Sequence, residues 1–131
     1  MEVCIFCGVA DKNISQHEII WSDTKHLAFL DIHPAKEGHT LLIPRKHSDN
    51  IWLLSETEFQ ELFDVARKVA LLLKTRLNCE NVAIVTEGSG IAHSHVHLIP
   101  LRYGEKLGDF GNTKRTKEEL KTIADKITGS N

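Results

Sequence analysis

The chain has 131 residues, of which 41% are hydrophobic and 26% charged, with a formal net charge of −2. A chain of this length buries about 68% of the surface that it exposes when unfolded, enough for one domain (residues 1–131) with one core. The composition excludes wholesale disorder. The lack of a basic excess speaks against a nucleic-acid partner, and no apolar run reaches the roughly 18 residues that span a bilayer.

The N-terminus shows no charged stretch followed by a long apolar one, so no signal peptide is expected. Three cysteines are an odd number, unlike a disulfide scaffold, and a cytoplasmic protein is expected. Cys4-Ile5-Phe6-Cys7 comes first, and in a reducing compartment this spacing points to metal or redox work. No thioredoxin-like βαβ pattern surrounds it, which favours the metal. Short strands follow at His17–Trp21, Leu27–Asp31 and His39–Ile43, the last stopped by Pro44. Strands this close in sequence predict an antiparallel meander.

A helix is predicted from Glu56 to Leu77. Ser55 and Glu58 form a capping box at its start. Phe59, Leu62, Phe63, Ala66, Val69, Ala70, Leu73 and Leu77 make an apolar stripe at helical spacing, which reads as core packing. Cys79 reads as a small core residue. Asn81–Thr86 is a fourth strand, Glu87–Gly90 a turn, and Ile91–Ile99 a fifth strand ended by Pro100. Gly104, Gly108 and Gly111 loosen the tail. A C-terminal helix begins at Thr116, capped with Glu119, and buries Leu120, Ile123, Ala124 and Ile127. The expected architecture is α+β: a five-stranded antiparallel sheet with one long helix packed across it and a short C-terminal helix.

His93-Ser94-His95-Val96-His97-Leu98-Ile99-Pro100 carries the chemistry. In a strand, residues i, i+2 and i+4 share a face. Three imidazoles then line one side about 6.6 Å apart, while Val96 and Leu98 point to the core. Folding does not ask for such a row, and exposed strand positions favour Thr or charged residues. Imidazole serves as nucleophile, acid–base group or metal ligand near neutral pH. The preceding Gly88-Ser89-Gly90 turn can aim backbone N–H groups at an anion, although a lone turn of this kind is more often a plain hairpin. A phosphate held beside an imidazole is a setting for nucleophilic attack at phosphorus.

His93 to Ile99 resembles the signature of the histidine-triad (HIT) superfamily of nucleotide hydrolases and transferases, with Ser94 polar where an apolar residue is usual. Cys4 to Cys7, Leu27 to Ile32, Gly38 to His47 and Tyr103 to Gly111 extend the resemblance. It implies that His95 attacks the α-phosphorus of a purine nucleotide, forming a covalent nucleotidyl-histidine. His97 would contact the phosphate oxygens and help the leaving group depart. The loop at Gly88, Ser89 and Gly90 would hold developing charge. Asp31 would accept from ribose hydroxyls, with Phe6, Phe29 and Ile32 lining the nucleoside pocket. Plain core packing is an equal reading for the two phenylalanines. Ser89 and Gly90 fall where the family pattern has Gln and Ser or Thr, which bears on phosphate contacts.

Cys-x2-Cys supplies half of a tetrahedral zinc site that two histidines can complete. The resemblance implies Cys4, Cys7, His47 and His93 as ligands of one structural zinc per chain, and a homodimer joined through the long helix and a sheet edge. His33 and His39 flank the nucleoside side. The substrate class stays open between nucleoside phosphoramidates and dinucleoside polyphosphates. Two rivals are a nucleotide-binding regulatory module with little turnover and a zinc-handling protein in which all three triad histidines bind metal.

Overall fold

The computed structural model describes residues 4–10, 17–88, 90–108 and 114–129. Strands β1 (Ile19–Ser22), β2 (His26–Leu30), β3 (Thr40–Pro44), β4 (Asn81–Val85) and β5 (Val96–Leu101) form one antiparallel sheet. Helices α1 (Ile5–Ala10), α2 (Glu56–Leu77) and α3 (Lys117–Thr128) complete the fold, an α+β arrangement of the HIT type. The strand order is β1-β2-β3-β5-β4. The first three strands are the expected meander. The chain then crosses through α2 and returns at the far edge as β4, so β5 is inserted beside β3.

Helices cover both faces of the sheet. Ala28, Leu30, Leu42, Val96 and Leu98 pack against Leu62, Val69 and Leu73 of α2 and Leu120 and Ala124 of α3. On the other face Leu27, Phe29, Leu41 and Ile43 pack against Phe6 and Val9 of α1. Every position of β2 and β3 is buried, which is why these strands read as continuous apolar runs. Each fully buried Leu, Ile or Phe among them contributes roughly 1.5–3 kcal/mol.

Both capping boxes form, Ser55 with Glu58 and Thr116 with Glu119. The buried stripe of α2 includes Val65, which the sequence reading left out, while Phe59 and Phe63 are only half-buried. These two rings stack at 4.8 Å, and Phe59 stacks on the exposed Trp52 at 5.9 Å. The apolar face of α2 is therefore wider than the core it covers.

Strand ends differ from the reading in a way that matters for the site. β5 begins at Val96, not Ile91, and runs through Pro100 to Leu101. Pro44 likewise lies inside β3. The β3–β5 ladder covers only Thr40↔Leu98 to Leu42↔Val96. Neither proline ring displaces a ladder bond there. The segment before Val96 is bent and tied by other bonds. Ser94 N–H donates to the Ser48 carbonyl at 2.7 Å, and the Thr86 hydroxyl donates to the His95 carbonyl at 2.9 Å. The Ser94 hydroxyl donates to the same Ser48 carbonyl at 3.3 Å, and the regular alternation expected for all three histidines applies only to His97.

Candidate active site and metal centre

Two histidine clusters meet at the start of β5. In the first, Cys4, Cys7, His47 and His93 bring their ligand atoms within 4.8 Å of one another. Helix α1 supplies Cys7 and the residue before it Cys4, the segment after β3 supplies His47, and the bend before β5 supplies His93. His93 Nδ1 lies 3.4 Å from both sulfurs, and His47 Nδ1 lies 3.3 Å from Cys7 Sγ. Zinc bonded tetrahedrally to S and N holds those atoms about 3.5 Å apart.

The outer nitrogens fix the tautomers. His93 Nε2–H donates to the Pro44 carbonyl at 2.8 Å, and His47 Nε2–H donates to Asp49 Oδ1 at 3.0 Å. Each Nδ1 therefore turns a lone pair toward the sulfurs, as a metal ligand must. Burial holds the His93 imidazole below its ordinary pKa, toward the neutral form that ligation requires. The donor set fits a closed zinc site of two thiolates and two imidazoles. Arg45 anchors α1 here, donating from Nη1 to the Ala10 carbonyl at 3.0 Å and from Nε to the Asp23 carbonyl at 2.9 Å.

The second cluster has the opposite polarity. His95 Nδ1–H donates to the His93 carbonyl at 2.7 Å, so Nε2 carries the lone pair. Ala35 N–H donates to His39 Nδ1 at 2.9 Å. His39 must then carry its proton on Nε2, which lies 2.9 Å from His97 Nδ1. His97 accepts there and keeps its own proton on Nε2. Burial, with His97 nearby, lowers the His39 pKa to about 3; burial, with His95 nearby, lowers that of His97 to about 4. Asp31 Oδ2 stands 3.6 Å from His39 Nε2, and Asp31 Oδ1 accepts the His33 N–H at 2.8 Å. Burial raises the Asp31 pKa. Asp31, His39 and His97 are close enough to suggest a second metal site. A metal on His39 Nε2 would make that ring an imidazolate, because Nδ1 already accepts a hydrogen bond. His39 and His97 form a hydrogen-bonded relay, with the Asp31 carboxylate beside it.

These groups open onto a cavity of about 480 Å³, within the usual range of small-molecule sites, about 300–1,000 Å³. His95 and His97 line one side, and Gly88, Gly90 and Glu87 line another. Phe6, Ile32 and Leu41 make an apolar wall, with His17, Asp31 and His33 at its rim. The Phe6 ring meets His95 edge-on at 5.2 Å and His93 at 6.0 Å. It therefore joins the metal cluster to the cavity.

Phe6, Asp31, Ile32, Gly88, Gly90, His95 and His97 thus converge on one cavity. Cys4, Cys7, His47 and His93 converge beside it. Phe29 is fully buried behind the wall, edge-on to Phe6 at 5.6 Å and to His17 at 4.8 Å. Ser89 lies outside the described residues. The relay role of His39 was missed, as were His17, Leu41 and Glu87 as lining residues. A signal for His39 existed: Leu41 pairs with His97, so His39, two residues before Leu41, is a same-face diagonal neighbour of the triad.

A cysteine–histidine metal cluster and a histidine relay on the entrance to β5, in a five-stranded α+β fold, define a histidine-triad protein. The HIT domain family matches residues 12–104, and the chain belongs to that family. It is 32% identical to Protein hit of Bacillus subtilis, over 96% of this chain and 92% of that one. It is 29% identical to the adenosine 5'-monophosphoramidase hnt1 of Schizosaccharomyces pombe, over 95% and 96% of the two chains. Among solved structures, a hypothetical histidine triad nucleotide-binding protein from Sulfolobus tokodaii superposes with a TM-score of 0.86. It shares 29% identity, and the match covers 97% of this chain and 91% of that one.

Proposed function

We propose that this chain is a hydrolase acting at the α-phosphate of a purine nucleotide through a covalent nucleotidyl-His95 intermediate. The observation that carries this reading is the His95 Nδ1–H bond to the His93 carbonyl, which leaves the Nε2 lone pair to the cavity. His95 Nε2 attacks phosphorus, the N–P bond forms, and the bond to the leaving group breaks. His97 Nε2–H donates to the phosphate oxygens and to the departing group, which takes its proton from water. Burial keeps His97 neutral, so it acts as a hydrogen-bond donor. Water then attacks the phosphorus and restores His95. Asp31 receives the ribose hydroxyls, while Phe6 and Ile32 face the base. Ser89 and the N–H groups of Gly88 and Gly90 hold charge on the non-bridging oxygens.

Cys4, Cys7, His47 and His93 hold one structural zinc, supported by the complementary tautomers of both imidazoles. Bound there, zinc ties α1 and the residues after β3 to the segment that carries His95. The chain acts as a homodimer: β4 is a sheet edge, and its Ile84 is exposed, as is Leu71 of α2. An apolar edge strand calls for a cover. No helix among the described residues is long and apolar enough to cross a membrane, and the chain works in the cytoplasm without a nucleic-acid partner.

The test is hydrolysis of an adenosine phosphoramidate by the wild type and by His95→Ala, with acid-quenched mass spectrometry for an adenylated chain. Turnover and an adduct in the wild type only are expected. Nucleotide binding without turnover or adduct in the wild type would favour the regulatory binding module instead.

A further inference from the structure

We propose that Glu87 is a specificity-determining residue that selects substrates by charge. It favours nucleotides whose reacting phosphate ends in an amine and disfavours those whose phosphate chain continues. The inference rests on the hydrolase reading above and concerns the leaving-group side of that site.

Asp31 and Glu87 both line the cavity, and among its described lining residues there is no Lys or Arg. The nearby cations are engaged elsewhere. Lys25, Arg45 and Lys46 line a separate groove, Lys36 pairs with Glu105 at 3.9 Å, and Arg115 pairs with Glu119 at 3.5 Å. Glu87 immediately precedes Gly88, whose φ of 80° turns the loop over the triad. Its field reaches His97, where it favours the protonated ring.

One phosphate is served by the loop N–H groups and His97. Each added phosphate brings about one more negative charge beside a carboxylate, with no Lys or Arg among the described lining residues to offset it, and like charges so placed cost affinity. An amine that leaves by taking one proton departs uncharged, so it adds no negative charge beside Glu87. When the P–N bond breaks, its electron pair stays on nitrogen and takes that proton. Glu87 is exposed, so its effect is that of a screened surface charge, about tenfold in relative kcat/KM and smaller at high salt.

The experiment compares kcat/KM for an adenosine phosphoramidate and for diadenosine tetraphosphate in the wild type, Glu87→Gln and Glu87→Lys. The wild type is expected to prefer the phosphoramidate. Glu87→Gln should narrow the ratio by about tenfold, mostly by raising the tetraphosphate rate, and Glu87→Lys should narrow it further. About 0.5 M salt should shrink both changes. A wild type that prefers the tetraphosphate, or a ratio that neither substitution moves, overturns the proposal. If the wild type turns over neither substrate, the hydrolase reading fails, and calorimetric binding of AMP and ATP still reads charge selection. ATP gaining more than AMP from Glu87→Gln supports it, and equal changes overturn it.

Discussion

The two histidine clusters share a bend of chain, yet their chemistry differs because their outer hydrogen bonds differ. His93 and His47 give their outer N–H to oxygens, Pro44 O and Asp49 Oδ1, and turn lone pairs inward. His39 receives an N–H from Ala35 on its outer nitrogen and must turn a proton inward, to His97. One outer hydrogen-bond partner decides whether an imidazole is a ligand or a donor. His95 belongs to both regions: it faces the cavity, and its tautomer is set by the carbonyl of the metal-cluster residue His93.

The largest effect expected from breaking this arrangement is at the nucleophile. His95→Ala should lower turnover by roughly 10⁴-fold or more while nucleotide binding survives, as removal of a nucleophile does; lost binding with the fold intact would exclude the nucleophile role. Disrupting the metal cluster comes next. Cys4→Ser should lose bound zinc and the associated stability, of order 4 kcal/mol where free zinc stands a thousandfold above Kd. Zinc analysis and thermal melts check this, and unchanged zinc content would place the metal elsewhere.

The relay gives a smaller effect. His39→Asn should lower kcat by about 10²-fold with little change in zinc content, the usual scale for a mis-set hydrogen-bond donor. An unchanged kcat would remove His39 from the account. The smallest effect is in stability against pH. His39 and His97 have folded pKa values of about 3 and about 4, below the unfolded value of about 6.5. Between these values the unfolded chain binds more protons, so stability is full above pH about 6.5 and is lost as the pH falls toward 4. His39→Gln should flatten that slope in thermal melts, with the metal cluster common to both proteins. Equal slopes would contradict the buried, neutral state of the relay.

Much of the fold was legible because its signals are local. The capping boxes at Ser55 and Thr116 announce both long helices, and apolar runs between turn residues announce the strands. Helix α1 was not legible: six residues are too few to show a period. Nor was the bend at 91–95, because it is held by side-chain bonds to Ser48, Thr86 and Pro44 rather than by a ladder. The row that holds His95 was visible in sequence, whereas the tautomer of His39 depends on an amide four residues upstream and a histidine 58 residues downstream. Gly38 shows a similar dependence on distant contacts. Its φ is 87°, and an added Cβ would lie 2.3 Å from Leu77 Cδ1. The close packing of α2 therefore sets the turn that delivers His39.

The most direct test of the two-cluster account is a long-range ¹H–¹⁵N correlation spectrum of the imidazoles in the zinc-loaded protein. His93 and His47 should show metal-bound Nδ1 and protonated Nε2, His39 and His97 should carry their protons on Nε2, and His95 alone among the five should carry its proton on Nδ1. A proton on His95 Nε2 would occupy the lone pair assigned to attack and would contradict the account.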